Sequence, residues 1–211
     1  MGRVVFLGDS FTSGENNQNV SFVDYIKRKF PEHSIHNLGV SGTTIGEYSI
    51  YPVDGYSLLK RYKKTDVEHA DRIVLEYGIN DVSALMCGFT DIRKITVSLV
   101  KALDGIYQTN YAEPKIIFLS ISNDSDIIDL YAERQCEYLE KDYFRGYNFK
   151  FPSTIWAENY KRIVDAASKR IDVIPMITDE DFLWNNLSRD NIHPNDEGYK
   201  IIADNIVKFG A

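Results

Sequence analysis

The chain alternates short apolar runs with longer amphipathic segments, and this alternation limits the folds that are open to it. Between the runs, apolar residues recur every three or four positions, as they do on the buried face of a helix. Near-continuously apolar strands that alternate with helices predict a parallel sheet covered by helices on both faces. The predicted strands span residues 4–7, 34–38, 72–77, 115–121 and 171–175.

The helical segments carry recognisable ends. Asp91 and Ser153 stand directly before apolar-periodic stretches, where a side chain that accepts a hydrogen bond from the first helical turn is favoured. The last helix is expected to begin near Asn195 and to end at Gly210. A glycine just beyond a helix is typical because it adopts the left-handed conformation without steric cost.

The 211 residues show no break in composition and no Pro/Gly/Ser-rich linker, which predicts one domain over residues 1–211. Residues 122–152 do not fit the alternation and resemble an insertion, because they are long, acidic and rich in Tyr and Phe. Long connections in α/β domains often form binding loops. We therefore expect Tyr143 and Phe144 to line a substrate pocket, with packing onto the core as the alternative.

Charge and cysteine content exclude several classes of protein. A net charge of -7 argues against nucleic-acid binding, and no apolar stretch is long enough for stable membrane insertion. Two cysteines without a CxxC pair predict neither a disulfide framework nor a metal site. The first strand leaves no room for a signal peptide, so a cytoplasmic location is expected unless an export signal has been removed. Nothing in the sequence indicates an oligomeric state.

Residues suited to acyl transfer stand at the predicted strand ends. The first strand runs into Gly8-Asp9-Ser10, the third into Gly78-Ile79-Asn80-Asp81, and the last loop holds Asp190 and His193. Because the carboxyl ends of parallel strands meet at one edge of a sheet, these segments are expected to converge. A serine, a histidine and an aspartate together supply a nucleophile, its base and the group that orients the base.

In order and spacing, these blocks resemble those of the SGNH hydrolase family, also called GDSL-type esterases and lipases. The four blocks are Gly8-Asp9-Ser10, the segment ending at Gly42, Gly78 to Asp81, and Asp190 to His193; Phe11 departs from the usual leucine. The resemblance covers nearly the whole chain. It implies a flavodoxin-like three-layer α/β/α fold with a five-stranded parallel sheet.

The resemblance also implies roles for single residues and no cofactor or metal. Ser10 would be the nucleophile, His193 the base and Asp190 its orienting partner. The oxyanion hole would comprise the backbone N–H groups of Ser10 and Gly42 and the amide of Asn80. Gly39 is the alternative to Gly42.

The resulting prediction is a serine esterase that hydrolyses short acyl or acetyl esters, including those of carbohydrates, with a small-molecule ester as its partner. Lysophospholipase and thioesterase activities occur in the same family and stay open. A non-catalytic ligand-binding α/β protein is the alternative from another class. A nucleotide-binding module is disfavoured, because the segment after the first strand has neither GxGxxG nor a P-loop lysine.

Overall fold

A computed structural model describes residues 2–48, 50, 55–62, 67–110, 113–143 and 151–210. In this part of the chain, five parallel strands form one sheet in the order β2-β1-β3-β4-β5. The strands are β1 (Arg3–Gly8), β2 (Ser34–Asn37), β3 (Arg72–Glu76), β4 (Lys115–Ser120) and β5 (Asp172–Pro175).

Helices surround this sheet and complete a three-layer α/β/α fold. A π-helical turn, Leu139–Tyr143, follows α6 directly. The helices are α1 (Ser10–Ser13), α2 (Phe22–Lys29), α3 (Leu58–Arg61), α4 (Ile79–Met86), α5 (Ile92–Thr109), α6 (Ser125–Tyr138), α7 (Ser153–Ser168), α8 (Asp181–Asn185) and α9 (Asp196–Lys208).

The helices form two groups, and the core lies between them and the sheet. Helix α2 packs against α9, while α7 packs against α4, α5 and α6. In register, Phe6 of β1 lies beside Val74 of β3, and Val74 lies beside Ile117 of β4. All three side chains are buried. Strands that are apolar on both faces can pack against both helical groups at once.

The strand order places a crevice at one edge of the sheet. The chain passes from β1 to β2 on one side and then returns past β1 to add β3 on the other. At such a switch point, the loops after the two neighbouring strands separate and leave room for a ligand. The loops after β1 and β3 are those that carry Ser10 and Asn80.

The predicted fold class is confirmed, and each predicted strand agrees with the structure to within one residue at either end. Asp91 and Asn195 cap α5 and α9 as expected, through hydrogen bonds from Lys94 N and Gly198 N. Ser153 is the first residue of α7 and not its cap, a position that Pro152 occupies. Pro152 fits there because its fixed φ suits a helix start.

Helix α4 begins at Ile79, directly after β3, and α6 lies within residues 122–152, the segment that resembled an insertion. Neither helix was predicted from the sequence. Ile127, Ile128 and Tyr131 of α6 are buried against the core. This part of the segment is therefore a regular packed element.

Candidate active site

Ser10 lies at the carboxyl end of β1, at the start of the short helix α1. Asp9 caps this helix, since its Oδ1 accepts a hydrogen bond of 3.1 Å from Phe11 N. Gly8 is required before this turn, because a Cβ there would approach Thr12 Oγ1 to 2.1 Å and the carbonyl oxygen of Glu76 to 2.8 Å. The tight turn leaves Ser10 at the sheet edge with 8% of its surface exposed.

The Asp190–His193 loop between α8 and α9 is organised around the carboxylate of Asp190. Asp190 Oδ1 accepts hydrogen bonds from Ser188 Oγ at 2.7 Å and from the backbone nitrogens of Ile192 and His193 at 3.0 Å each. Ser188 N donates to the carbonyl oxygen of His193 and closes the loop. These bonds orient the carboxylate and place the imidazole beside it.

The structure brings Ser10, His193 and Asp190 into one chain of hydrogen bonds. The distance from Ser10 Oγ to His193 Nε2 is 2.8 Å, and that from His193 Nδ1 to Asp190 Oδ2 is 2.5 Å. Because an ionised carboxylate can only accept, Nδ1 carries the proton and Nε2 is left to accept from Ser10. This tautomer is the one that general-base catalysis needs.

Asp190 stays ionised in this arrangement. Burial acts to raise its pKa, but the hydrogen bonds from His193 and Ser188 outweigh burial and hold the pKa well below its usual range. A fixed negative charge beside Nδ1 stabilises the imidazolium that forms when His193 takes a proton.

Asn16 is a site residue that the sequence interpretation missed. Its Nδ2 donates to Asp190 Oδ2 at 2.6 Å and lies 3.2 Å from His193 Nδ1. Since Nδ1 already carries a proton, the amide donates to the carboxylate and not to the ring. The backbone of Asn16 is left-handed, with φ 60°. The run Gly14-Glu15-Asn16-Asn17 signals such a turn, but it does not reveal the turn's partner.

Asn80 lies in the first turn of α4, close to Asp9. Its amide nitrogen donates to Asp9 Oδ2 at 3.0 Å and to the carbonyl oxygen of Thr43 at 3.1 Å. Both amide hydrogens are thus donated to protein groups, and the side chain is 6% exposed. Interaction with an oxyanion requires one of these hydrogens to be shared with it.

The two candidate oxyanion glycines differ in their surroundings. Gly42 has a φ of 77° and lines the same cavity as Ser10, Asn80 and His193. Gly39 instead packs against α1, where an added Cβ would lie 2.3 Å from Ser13 N. The geometry therefore favours Gly42 over Gly39 for the oxyanion role.

A pair of buried carboxyl groups lies beneath the serine. Glu76 Oε2 accepts hydrogen bonds of 3.2 Å from Asp9 N and from Thr12 Oγ1. Burial and the Glu76 carboxylate raise the pKa of Asp9 well above its usual range, and burial also raises the pKa of Glu76. Two neighbouring buried carboxyls resist simultaneous ionisation, so the pair favours a shared proton.

Asp81 serves the loop that follows β2. Its Oδ1 accepts hydrogen bonds from Ile45 N at 2.9 Å and from Tyr48 Oη at 2.8 Å. Burial raises the pKa of Asp81 to about 7, although these two hydrogen bonds act to lower it. The carboxyl group thereby joins the start of α4, which carries Asn80, to the segment after Gly42.

A cavity of about 140 Å³ opens over these groups. Its polar lining includes Glu15, Gln135 and Tyr138, none of which was predicted as a site residue. Of the two residues that were predicted to line it, the side chain of Tyr143 and all of Phe144 lie outside the described residues. The lining residues are Ser10, Phe11, Glu15, Ser41, Gly42, Ile79, Asn80, Gln135, Tyr138, Ile192 and His193.

Within the described ranges, no group of three or more His, Cys, Asp and Glu side chains could hold a metal ion. No helix described there combines the length and the apolar character that crossing a bilayer requires.

Comparison with known proteins shows the fold and the family of this chain. A solved structure of a G-D-S-L family lipolytic protein from Veillonella parvula is similar at 18% identity over 99% of this chain and 97% of that chain, with a TM-score of 0.64. A lipase from a goat rumen metagenome is similar at 16% identity over 100% of this chain and 98% of that chain, with a TM-score of 0.66. A family 3 carbohydrate esterase from Clostridium thermocellum is similar at 16% identity over 98% of this chain and 94% of that chain, with a TM-score of 0.63. At these identities the likeness shows the fold. No curated protein matches the chain. The model of the GDSL-like lipase/acylhydrolase family matches residues 6–201. The chain therefore belongs to this family and is an ester-hydrolysing serine hydrolase.

Proposed function

We propose that the protein hydrolyses short-chain carboxylic esters, acetyl esters of carbohydrates among them, through a Ser10–His193–Asp190 triad and an acyl-enzyme. The observation that carries this proposal is the continuous chain of hydrogen bonds from Ser10 Oγ to Asp190, with distances of 2.8 and 2.5 Å. A nucleophile, a base and an orienting group at these distances are within reach for proton transfer.

In the first half of the reaction, Ser10 Oγ attacks the ester carbonyl while His193 Nε2 takes its proton. The imidazolium then protonates the leaving alcohol, and Ser10 is left acylated. In the second half, His193 takes a proton from water while the water oxygen attacks the acyl carbonyl. The bond between the acyl carbon and Ser10 Oγ then breaks, the imidazolium returns its proton to Ser10 Oγ, and the acid leaves. Asp190, held by Ser188 and Asn16, keeps the ring oriented through both halves.

Negative charge develops on the carbonyl oxygen in both halves. We assign its stabilisation to the backbone N–H groups of Ser10 and Gly42 and to the Asn80 amide. Loss of one such donor typically costs ~2.7 to 4 kcal/mol of transition-state stabilisation. The second amide hydrogen of Asn80 can stay on Asp9, which fixes the orientation of the side chain.

The size and polarity of the cavity support short acyl groups on polar alcohols. A volume of about 140 Å³ is below the range of roughly 300 to 1,000 Å³ that drug-sized ligands occupy. Ser41, Gln135 and Tyr138 add hydrogen-bonding groups to its wall. The similarity to a carbohydrate esterase from Clostridium thermocellum agrees with a sugar ester as substrate.

Active-site labelling and a substrate panel test the proposal. A fluorophosphonate should label the wild type stoichiometrically and leave Ser10→Ala unlabelled. Ser13→Ala is a matched control, because Ser13 lies on the same helix and contacts Ser41 at 3.0 Å. On acetyl, butyryl and octanoyl p-nitrophenyl esters, an acetylated sugar and an acyl-CoA, the two acetyl esters should be hydrolysed fastest. Activity of Ser10→Ala equal to the wild type would refute the triad, and a preference for the octanoyl ester or for acyl-CoA would support the lipase or thioesterase alternative.

A further inference from the structure

One charged side chain in the cavity has no part in the reaction as described above. Glu15 lines the cavity, and its Oε2 lies 3.9 Å from His193 Nε2, the nitrogen that faces Ser10 Oγ. Its side chain is 44% exposed, so the carboxylate stands at the border between cavity and solvent. Since Ser10 Oγ lies 2.8 Å from the same nitrogen, a substrate bound at Ser10 is close to this carboxylate.

The backbone on either side of Glu15 is fixed. Glu15 N donates to the carbonyl oxygen of Ser10 at 3.1 Å, and Asn16 is held to Asp190 by its side chain. Gly14 is left-handed with a φ of 81°, and a Cβ there would lie 2.7 Å from the carbonyl carbon of Val20. This turn therefore presents the Glu15 side chain toward the site from a constrained position.

The described residues that line the cavity contain no Lys or Arg to balance this charge. The carboxylate of Asp190 is engaged by His193 and Asn16, whereas the Glu15 carboxylate lines the cavity 3.9 Å from His193 Nε2. The net charge of -7 of the whole chain adds to the negative electrostatic potential around the cavity. An anionic substrate is therefore repelled, and a cationic substrate attracted, close to the reacting groups.

We infer that Glu15 determines which substrates the enzyme accepts by their charge. The enzyme hydrolyses neutral or cationic esters and rejects esters that carry an anionic group near the scissile bond. This inference rests on the proposed esterase function and narrows its substrate class. Among sugar esters, it favours acetylated neutral sugars or amino sugars over acetylated uronic acids. It also disfavours phosphate-bearing lipids and acyl-CoA.

Three phenyl acetates of similar shape test this inference. 3-tert-Butylphenyl acetate is neutral, 3-(trimethylammonio)phenyl acetate is its cationic counterpart, and 3-acetoxybenzoate is anionic. Comparing kcat/KM ratios between enzyme variants cancels the intrinsic reactivity of each ester and any general loss of activity. Glu15→Gln keeps the size of the side chain and removes its charge, and Glu15→Lys reverses the charge. Glu32→Gln is the control, because it makes the same change in net charge far from the cavity. The Glu32 side chain is exposed and lies just before β2, at the end of the strands opposite to Ser10.

Glu15→Gln should raise the anionic-to-neutral ratio of kcat/KM about tenfold, or ~1.4 kcal/mol, and should lower the cationic-to-neutral ratio. A half-exposed carboxylate a few ångströms from a charged group interacts in this range. Glu15→Lys should reverse the preference, and Glu32→Gln should leave both ratios unchanged. Concentrated NaCl should reduce the discrimination of the wild type, because salt screens an exposed charge.

If the kcat/KM ratios are the same in the wild type, Glu15→Gln and Glu15→Lys, the inference about Glu15 is wrong. Hydrolysis of the neutral ester would in that case still support the esterase function. If the wild type hydrolyses none of the three acetates, the proposed function fails, and the charge selectivity fails with it. A change in ratios that Glu32→Gln reproduces would assign the effect to net charge and not to Glu15.

Discussion

Replacement of Asp81 by asparagine should remove a pH-dependent loss of stability. The pKa of Asp81 is about 7 in the folded protein against 3.8 for an unperturbed aspartate, because the group is fully buried. When the folded pKa is raised, ionisation opposes folding. The contribution of Asp81 to stability is therefore complete below about pH 4 and declines as the pH rises toward about 7.

The size of the effect follows from these two pKa values. Between about pH 5.5 and about pH 8.5, ionisation of Asp81 lowers the free energy of unfolding of the wild type by ~2 kcal/mol. The introduced asparagine keeps an oxygen that can accept from Ile45 N and Tyr48 Oη. Its amide nitrogen replaces Oδ2, which has no hydrogen-bond partner within the described part of the chain. Any cost of burying that nitrogen is the same at both pH values and cancels from the difference.

Urea unfolding of both proteins across this window measures the effect. The gain of Asp81→Asn over the wild type should grow by ~2 kcal/mol from the lower to the higher pH, or ~4 to 8 °C in melting temperature. The window stays above the isoelectric point of about 5.1, where a protein without net charge tends to associate. Asp126→Asn, at an exposed position in α6, is the control for removal of one negative charge. A difference between Asp81→Asn and the wild type that stays constant with pH would refute the argument.

Three further predictions concern the site. Asn80→Ala should lower kcat by roughly 10² to 10³ with a smaller change in KM, because the amide donates to the oxyanion mainly in the transition state. Steady-state kinetics on an acetyl ester would measure this loss, and an unchanged kcat would exclude Asn80 from the oxyanion hole. Asn16→Ala should lower kcat about tenfold, because Asp190 loses one charge-assisted hydrogen bond. Equal activity of the variant and the wild type would show that Ser188 and the backbone orient Asp190 without Asn16. Gly39→Ala should destabilise the protein by ~1 to 3 kcal/mol in urea unfolding and should weaken fluorophosphonate labelling of Ser10. The new Cβ would lie 2.3 Å from Ser13 N and 2.5 Å from the carbonyl carbon of Thr12, and it would therefore displace α1. Unchanged stability would contradict this packing.

The strands were predictable because burial on both faces imposes a local pattern. A run such as Ile73-Val74-Leu75 is apolar without interruption, and β-branched side chains favour extended backbone. The amphipathic face of α5 is equally local. Helix α6 was not recognised, because its apolar residues are interspersed with acidic ones and the segment is rich in aromatics. Tyr131 belongs to the core and Tyr138 to the cavity lining, a division that composition does not reveal.

Sequence order also indicated which residues would converge, since Ser10, Asn80 and the Asp190–His193 loop all follow strands or lie in the last loop. It did not indicate Glu15 or Asn16. Asn16 reaches Asp190 across 174 positions of sequence. That contact depends on the left-handed turn after α1 and on the loop before α9 meeting at the same edge of the sheet.

By itself, the sequence determined the parallel sheet and the family, and it singled out Ser10, His193 and Asp190 as the proposed nucleophile, base and orienting group, because each of these inferences depends on residue type and local order. The tertiary structure alone decided the ionisation of the buried carboxyls and the charge of the cavity. The pKa of Asp9, Glu76 and Asp81 is raised by removal from water, and this burial exists only after distant segments have packed together. Likewise, Glu15 influences a substrate only because folding places its carboxylate 3.9 Å from a histidine near the other end of the chain, at the mouth of the cavity that they both line.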